Sequence, residues 1–354
     1  MNSYERVMAA AHHGQPDCLP VAPYMGNFGA AICATPIDSY CRSGRLMAEA
    51  QYRAWEMVGQ DAVVAQSDNY YIAEGFGLTV EHHQDATPTI RSSPLRGLED
   101  IYRLEVPDPL KDGRMPVYLE AIERLASKLK GEVAIRAPGT GPFALAAHLM
   151  GTEEFVTRLA LLQGDPDPEV ERALATLLDK TTEALVRFEK ACLQAGADIV
   201  QAGDSTASLD LISPEIYRNW AFPYEKRFFD ELNSHAQQRG ALTLLHICGD
   251  MTSVLEFEAE TGAMLIEIDS KVDLSTAQRL IGDRVCLIGN IEPSSVLLQG
   301  DPKLVEVKCA EAIQKVDGRR GFILGSGCEV PPRAPLENLR AMVVAARRVR
   351  YSQT

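Results

Sequence analysis

The chain has 354 residues, of which 46% are apolar and 24% are charged, and its formal net charge is −14. These proportions are ordinary for a folded globular protein, so a disordered chain is excluded. The acidic excess argues against a nucleic acid or an anionic membrane as the main partner, because both attract basic surfaces.

Eight short apolar runs that end in polar residues or glycine predict the strands of a parallel sheet. In chain order they are residues 19–25, 61–68, 133–138, 197–204, 242–249, 264–269, 285–290 and 322–328. Amphipathic segments between the runs predict crossover helices at 46–58, 119–129, 170–194, 214–238, 274–281 and 301–316. No glycine-rich turn follows the first run, which disfavours an open dinucleotide-binding sheet. We therefore expect an α/β fold, a (β/α)₈ TIM barrel that spans residues 1–354 as a single domain.

Two segments are longer than barrel loops require. They are the early loop at about 26–43 and the segment at about 70–118, which contains a predicted β-hairpin near 78–90. Both follow predicted strands, so we expect both insertions to lie over the active face of the barrel.

The beginning of the chain, Met1–Arg6, lacks the basic start and apolar run of a secretory signal, and no later stretch of about 18 residues is uniformly apolar. We therefore expect a cytoplasmic protein that does not span a membrane. In a reducing compartment its eight cysteines are expected to be thiols, core residues or metal ligands, and not a disulfide framework.

The carboxyl ends of the predicted strands collect polar residues, which is where barrel enzymes place their reacting groups. These residues are Asn27, Asp68, Thr140, Asp204, His246, Cys248, Asp269, Asn290 and Cys328. The clustering of ligand-type side chains at these ends supports the barrel assignment.

The segment 245–249 presents His246 and Cys248 two residues apart, and side chains with that spacing on a strand point to the same side. Cys328 ends the eighth run and faces the same barrel mouth. One nitrogen and two sulfur ligands would leave a fourth tetrahedral position open, which is typical of catalytic zinc. The spacing alone leaves a second interpretation open, in which the pair is part of the core and Cys328 is a buried free thiol.

Four stretches carry a resemblance to a known family: 246–250 (HICGD), 268–274 (IDSKVDL), 287–293 (LIGNIEP) and 325–332 (GSGCEVPP). The chain resembles the uroporphyrinogen decarboxylase superfamily, and within it the zinc-dependent cobalamin methyltransferases. The resemblance implies a TIM barrel in which His246, Cys248 and Cys328 bind Zn²⁺. It also implies a methyltransferase that works with a corrinoid and a small methylated substrate.

The resemblance covers both decarboxylases and methyltransferases, so the residues must distinguish the two reactions. Decarboxylation of a porphyrinogen with many carboxylates calls for arginines in the first barrel loop, and residues 24–31 (YMGNFGAA) contain none. A metal-free decarboxylase therefore stays as the alternative of another class. No D-x-H-x-x-G segment is present, so we expect a partner protein to supply the corrinoid.

The segments 25–27 and 66–77 look most like the O-demethylating members of the family. The expected reaction is therefore transfer of a methyl group from a methyl ether, such as a methoxylated aromatic, to the cobalt of a corrinoid protein. The alternative is methylation of a thiol such as coenzyme M, or of a folate, by methylcobalamin. The expected catalytic residues are Asp204 and Asp68, and the expected substrate-binding residues are Asn27, Phe28, Tyr70, Tyr71 and Asn290. A homodimer is compatible with the sequence, which does not fix the oligomeric state.

Overall fold

The computed structural model describes residues 1–316 and 320–351. Its main sheet has seven parallel strands, in spatial order β1 (Ala62–Val64), β4 (Ala134–Arg136), β5 (Ile199–Gly203), β6 (Leu242–Ile247), β7 (Leu265–Ile268), β8 (Cys286–Ile291) and β9 (Phe322–Ser326). A separate antiparallel hairpin pairs β2 (Thr79–Glu81) with β3 (Thr89–Ser92). Each strand of the main sheet overlaps one of the last seven predicted runs, and the hairpin forms where it was expected.

Helices connect the strands and cover the outside of the sheet. They are α1 (Ser3–Ala11), α2 (Gly26–Ile32), α3 (Ile37–Tyr40), α4 (Gly44–Val58), α5 (Leu98–Arg103), α6 (Met115–Leu129), α7 (Pro142–Met150), α8 (Thr152–Gly164), α9 (Pro168–Ala195), α10 (Pro214–Ile216), α11 (Phe222–Gln238), α12 (Leu255–Glu260), α13 (Leu274–Ile281), α14 (Pro302–Lys315) and α15 (Leu336–Arg348). Two of them, α2 and α3, lie in the segment 26–43 that was expected to be a loop. None of the helices in the described ranges is both long and apolar enough to be a candidate membrane span.

The sheet closes on itself through the first predicted run. Ala22 N donates to Leu324 O (2.8 Å), and Leu324 N donates to Pro20 O (2.9 Å), so this segment pairs with β9. On its other side, Asp61 N donates to Val21 O (2.7 Å) just before β1 begins. The segment 20–22 therefore takes the eighth position of the ring, and the expected (β/α)₈ barrel fold is confirmed.

The eighth position is not a regular strand, although 19–25 was predicted to be one. It makes one isolated parallel bridge, between Val21 and Leu324. Pro20 and Pro23 have no backbone N–H to donate, so a continuous ladder cannot form across this segment.

The helix predicted at 214–238 is also interrupted. Residues Tyr217–Ala221 form a π-helical turn between α10 and α11, in which Phe222 N donates to Tyr217 O. Pro223 directly follows and cannot donate to the preceding turn, which favours this local rearrangement.

The inside of the barrel changes character from its amino end to its carboxyl end. The lower layer is an apolar cluster formed by the strands and one face of α1; its members are Val7, Ala10, Ala11, Ala22, Ala62, Ala134, Ile199, Leu242, Leu244, Leu265, Cys286, Ile288 and Ile323. Because strand side chains alternate with a period of two, the next inward positions are Arg136, Gln201, His246 and Glu267. The sheet therefore places a buried polar layer directly above an apolar floor.

Candidate metal centre and active site

Three soft donor side chains meet at the carboxyl end of the barrel. His246 lies in β6 and Cys248 directly follows that strand, while Cys328 comes two residues after β9. Cys248 Sγ is 3.3 Å from His246 Nε2 and 3.6 Å from Cys328 Sγ. The ligand atoms of the three residues all lie within 4.8 Å of one another. The structure thus brings together the residues that the sequence singled out as ligands.

These distances fit a tetrahedral zinc site. Zinc–sulfur bonds of about 2.3 Å and zinc–nitrogen bonds of about 2.0 Å place two sulfurs roughly 3.8 Å apart, and a sulfur and a nitrogen roughly 3.5 Å apart. The observed separations are 3.6 Å for Cys248 and Cys328 and 3.3 Å for Cys248 and His246. The donor set is also the soft set that zinc prefers.

Glu267 on the neighbouring strand fixes the orientation of His246. His246 Nδ1 lies 3.1 Å from the main-chain oxygen of Glu267 and 3.4 Å from its Oε2. Both of these oxygens can only accept, so Nδ1 carries a proton, and Nε2 faces Cys248, where it can bind a metal ion once it has lost its own proton. This is the hydrogen-bonding pattern that metal-binding imidazoles require.

Arg136 in turn holds the Glu267 carboxylate. Arg136 donates from Nη1 to Glu267 Oε1 (2.7 Å) and from Nη2 to Glu267 Oε2 (2.8 Å), and from Nε to Gln201 Oε1 (2.6 Å). The guanidinium lies 4.3 Å from the centre of the Tyr24 ring. Arg136 and Glu267 are 5% and 1% exposed, so this pair is a buried, compensated charge pair beneath the donors.

The pKa values of the three donor side chains are shifted in different directions. The hydrogen bond from Cys328, followed by the neighbouring His246, lowers the pKa of Cys248 to about 4. The same hydrogen bond raises the pKa of Cys328 far above its ordinary value. Burial acts to lower the pKa of His246, but the Cys248 thiolate and Glu267 outweigh it and raise this pKa to about 9. The site therefore already favours one thiolate, and a divalent cation would displace the remaining protons.

A polar cavity of about 100 Å³ opens beside the donors. His246 and Cys328 form part of its wall, and the other side chains in it include Tyr24, Gln66, Asn69, Gln201, Ser205 and Glu329. Ser205 Oγ also lies 3.2 Å from Cys248 Sγ. The cavity is the place where a small substrate could reach the donors.

Asn27, a predicted substrate-binding residue, holds two parts of the cavity wall together. Its main-chain N and its Nδ2 donate to Glu329 Oε1 at 2.8 and 3.2 Å. Nδ2 also donates to Ser67 O (2.7 Å), and Ser67 Oγ donates to Asn27 Oδ1 (3.0 Å). Burial raises the pKa of Glu329 to about 7. The contacts of Asn27 are therefore those of a residue that positions Glu329, and its binding role stays a prediction.

Asp68 lies in a buried ion-pair network. Arg114 donates to Asp68 Oδ2 (2.7 Å) and Oδ1 (2.8 Å), and Tyr118 Oη donates to Oδ2 (3.2 Å). Arg114 Nε also donates to Glu74 Oε2 (2.6 Å). These bonds tie the insertion 70–118 to the end of β1, and a catalytic role for Asp68 stays a prediction.

Asp204 caps a helix. Its carboxylate accepts from the main-chain N–H groups of Phe143 (3.1 Å) and Ala144 (2.5 Å) at the start of α7. It is fully buried, and its main-chain N donates to His246 O (2.8 Å). The structure therefore gives Asp204 a structural set of partners beside the metal donors, and its catalytic role stays a prediction.

The predicted aromatic residues differ in exposure. Phe28 and Tyr71 are buried in the core, and the Tyr71 ring lies 4.2 Å from Tyr118 and 5.2 Å from Phe188 between ring centres. Tyr70 is only half-buried and its ring is 4.9 Å from that of His148. Tyr70 is thus the most exposed of the three, but the aromatic residue in the cavity wall is Tyr24, and ligand binding by Phe28, Tyr70 and Tyr71 stays a prediction.

Asn290 holds a loop. Its Nδ2 donates to Asp269 O (3.2 Å) and Val272 O (2.8 Å), which fixes the turn between β7 and α13. Its contacts are those of a loop anchor, and substrate binding by Asn290 stays a prediction.

Sequence reasoning missed the charged residues beneath the donors. Arg136 and Glu267 each interrupt an apolar run that was interpreted only as a strand. Charged side chains are almost never fully buried unless they are paired, so their position in such runs was a usable signal of a partner. Glu329, directly after Cys328, was also missed.

The comparisons with known proteins identify the family. A barrel of this kind with a histidine and two cysteines at its mouth defines a candidate metalloenzyme. Residues 2–349 match the family model described as uroporphyrinogen decarboxylase (URO-D). The chain belongs to this family, as the sequence resemblance predicted.

Relatives with two different activities resemble the chain. It is 32% identical over 296 residues to "Methylcobamide:CoM methyltransferase MtbA" of Methanosarcina acetivorans, covering 83% of this chain and 82% of that protein. It is 29% identical over 306 residues to "Uroporphyrinogen decarboxylase" of Carboxydothermus hydrogenoformans, covering 86% and 83%.

A solved structure has the same fold over nearly the whole chain. The "methyltransferase from Methanosarcina mazei" superposes with a TM-score of 0.85 at 27% identity, covering 98% of both chains. Together with the methyltransferase relatives, this similarity confirms the expectation that the chain is a methyltransferase enzyme.

Proposed function

We propose that this protein transfers a methyl group from the cobalt of a corrinoid protein to a small thiol, at one zinc ion held by His246, Cys248 and Cys328. The observation that carries the proposal is the convergence of these three donors, within 4.8 Å, beside a cavity at the barrel mouth. When bound, zinc supplies Lewis acidity that lowers the pKa of a substrate thiol.

The residues around the donors have separate tasks in this proposal. Glu267 keeps the Nε2 lone pair of His246 directed at the site, and Arg136 keeps the Glu267 carboxylate in place. The cavity beside the donors is the place where the thiol would enter. In the reaction, the sulfur–carbon bond forms as the cobalt–carbon bond breaks, the electron pair stays with cobalt, and the thiol proton is released.

The choice of a thiol acceptor departs from the reaction preferred on sequence grounds. The sequence favoured demethylation of a methyl ether, with methylation of a thiol such as coenzyme M as the alternative. The methyltransferase relatives are named for transfer to coenzyme M, and one of them for methylated thiols, so they support the alternative better. An assay of methyl transfer in both directions distinguishes thiol methylation from ether demethylation.

Decarboxylation of a porphyrinogen is the competing chemistry, since decarboxylases are also relatives. That reaction predicts cationic groups that pair with the substrate carboxylates. Arg136 is the one arginine or lysine among the described side chains of the cavity wall, and Glu267 already compensates its charge. The soft donors and this compensated charge favour methyl transfer.

The decisive experiment measures metal content and methyl transfer on the same preparations. We expect stoichiometric zinc in the wild-type protein, and loss of methylcobalamin absorbance with formation of a methylated thiol. Cys328→Ser is expected to lose both properties, whereas Cys33→Ser, a half-buried cysteine outside the donor cluster, keeps them. Methylation of cob(I)alamin by methoxylated aromatics without any thiol methylation would reverse the direction. A metal-free protein that decarboxylates a porphyrinogen would refute the proposal.

A further inference from the structure

A serine hydroxyl lies against one of the three metal donors. Ser205 Oγ is 3.2 Å from Cys248 Sγ, and Ser205 also forms part of the wall of the cavity beside the donors. Resting on the proposed function, we propose that Ser205 is a positioning residue whose hydrogen bond to Cys248 lowers the reactivity of that sulfur, so that the methyl group passes to the substrate thiol and not to the protein.

The end of β5 holds Ser205 in place. Ser205 begins a short 3-10 turn, Ser205–Ala207, directly after Asp204. The main-chain N of Asp204 donates to His246 O (2.8 Å), and the Asp204 carboxylate accepts from two main-chain N–H groups at the start of α7. The serine hydroxyl is therefore presented by a fixed part of the barrel wall, which is bonded to the strand that carries the histidine donor.

The hydrogen bond between Ser205 and Cys248 has a defined direction once a metal ion is bound. A metal-binding cysteine is a thiolate, which has no proton to give and can only accept. A serine hydroxyl has one proton, so Ser205 donates it to Cys248 and cannot donate it elsewhere at the same time. A hydrogen bond withdraws charge from an anionic acceptor, and a less basic thiolate is a weaker nucleophile. Ser205 should therefore slow the attack of the Cys248 sulfur on a methyl group.

This control matters because the proposed reaction brings a methyl donor close to sulfur atoms of the protein as well as to the substrate sulfur. Cys328 lines the cavity, and the main chain of Glu329 donates a hydrogen bond to it. Cys248 is not among the described side chains of the cavity wall, whereas Ser205 is. Each protein sulfur thus has a donor from the protein, and for Cys248 that donor is a side chain that a substitution can remove.

The test measures methylation of the protein itself. Zinc-loaded wild-type protein and its variants are incubated with methyl iodide, without corrinoid or thiol, and methylation of each cysteine is quantified by peptide mass spectrometry. In this reaction the sulfur–carbon bond forms as the carbon–iodine bond breaks, and iodide leaves with the electron pair. We expect the rate at Cys248 to rise about tenfold in Ser205→Ala, because one charge-assisted hydrogen bond is lost. Ser205→Thr, which keeps a hydroxyl, and Ser127→Ala, at an exposed position of α6, should stay close to the wild-type rate.

Two further readouts separate this effect from a loss of structure. Zinc content should remain stoichiometric in Ser205→Ala, because all three donors are retained. Cys192 and Cys286 are fully buried, so they should stay unmethylated in every variant. Equal rates at Cys248 in the wild-type protein and Ser205→Ala would overturn the inference. Loss of zinc from Ser205→Ala, or methylation of Cys192 and Cys286 in parallel with Cys248, would also overturn it.

A turnover experiment connects this role of Ser205 with the proposed function. With methylcobalamin and a thiol, Ser205→Ala should lose activity progressively and gain a methyl group at Cys248, whereas the wild-type protein stays active. Stable activity of Ser205→Ala with an unmethylated Cys248 would overturn the inference and leave the proposed function intact. A zinc-loaded wild-type protein that methylates no thiol would instead contradict the proposed function, whatever the rates with methyl iodide.

Discussion

Replacement of Arg136 by methionine tests whether the charge pair beneath the donors stabilises the barrel. The pair is nearly inaccessible, with Arg136 5% and Glu267 1% exposed, and its two hydrogen bonds are 2.7 and 2.8 Å long. Removing one partner of such a buried pair typically costs about 3–5 kcal/mol, because the remaining charge is left without compensation. We expect the free energy of unfolding, from urea titration, to fall by that amount. The double variant Arg136→Met/Glu267→Met should lose about 2 kcal/mol less of this free energy than the sum of the losses in the two single variants.

The control for this experiment is the same substitution at an exposed arginine. Arg227 pairs with Asp179 at 2.7 Å and Glu231 at 2.8 Å, but its side chain is 39% exposed. Surface pairs contribute about 0–1 kcal/mol, so Arg227→Met should change the stability little. If Arg136→Met cost no more than Arg227→Met, or if the costs of the double variant were additive, the view of this pair as a coupled support for His246 would be refuted.

Two further predictions concern buried carboxyl groups. Arg114→Met should leave Asp68 and Glu74 without their shared cation, and limited proteolysis within 70–118 should become faster than in the wild-type protein; equal rates would contradict the tethering role. Burial raises the pKa of Glu258 from 4.5 to about 8. Between these pH values the native state binds more protons than the unfolded state, so the free energy of unfolding falls as the pH rises through that window. Glu258→Gln should therefore gain stability relative to the wild-type protein between pH 5 and pH 8, by at most about 1.4 kcal/mol per pH unit, in urea titrations at both pH values. Parallel pH dependence of the two proteins would disprove this.

Much of the barrel was predictable because buried parallel strands are short and apolar. The runs that became β1 and β4 to β9 were found in their correct places for this reason. The first run, 19–25, has the same composition, but its prolines allow only one bridge. The π-turn at Tyr217–Ala221 was missed for the same reason, because a hydrophobic pattern does not show where a proline interrupts backbone hydrogen bonds. The amphipathic period of 214–238 continues across Pro223.

The candidate site was only partly predictable. The three donors were singled out because the ends of barrel strands converge, which is a property of the fold, and because the chain resembles zinc-dependent methyltransferases. The partners of those donors depend on distant positions: Arg136 and Glu267 are 131 residues apart, and no local pattern links them. Asp68 was predicted to be catalytic for its place at a strand end, and its pairing with Arg114 across 46 residues was equally invisible. Roles for Asp68 and Asp204, the single domain and the cytoplasmic location stay predictions.

The central claim is that one histidine and two cysteines hold zinc and leave a position for substrate sulfur. X-ray absorption at the zinc edge tests it most directly. We predict two sulfur neighbours at about 2.3 Å and nitrogen or oxygen neighbours at about 2.0 Å in the purified protein, with a third sulfur when thiol is added. A zinc environment of nitrogen and oxygen alone, or one that does not change with thiol, would contradict the account.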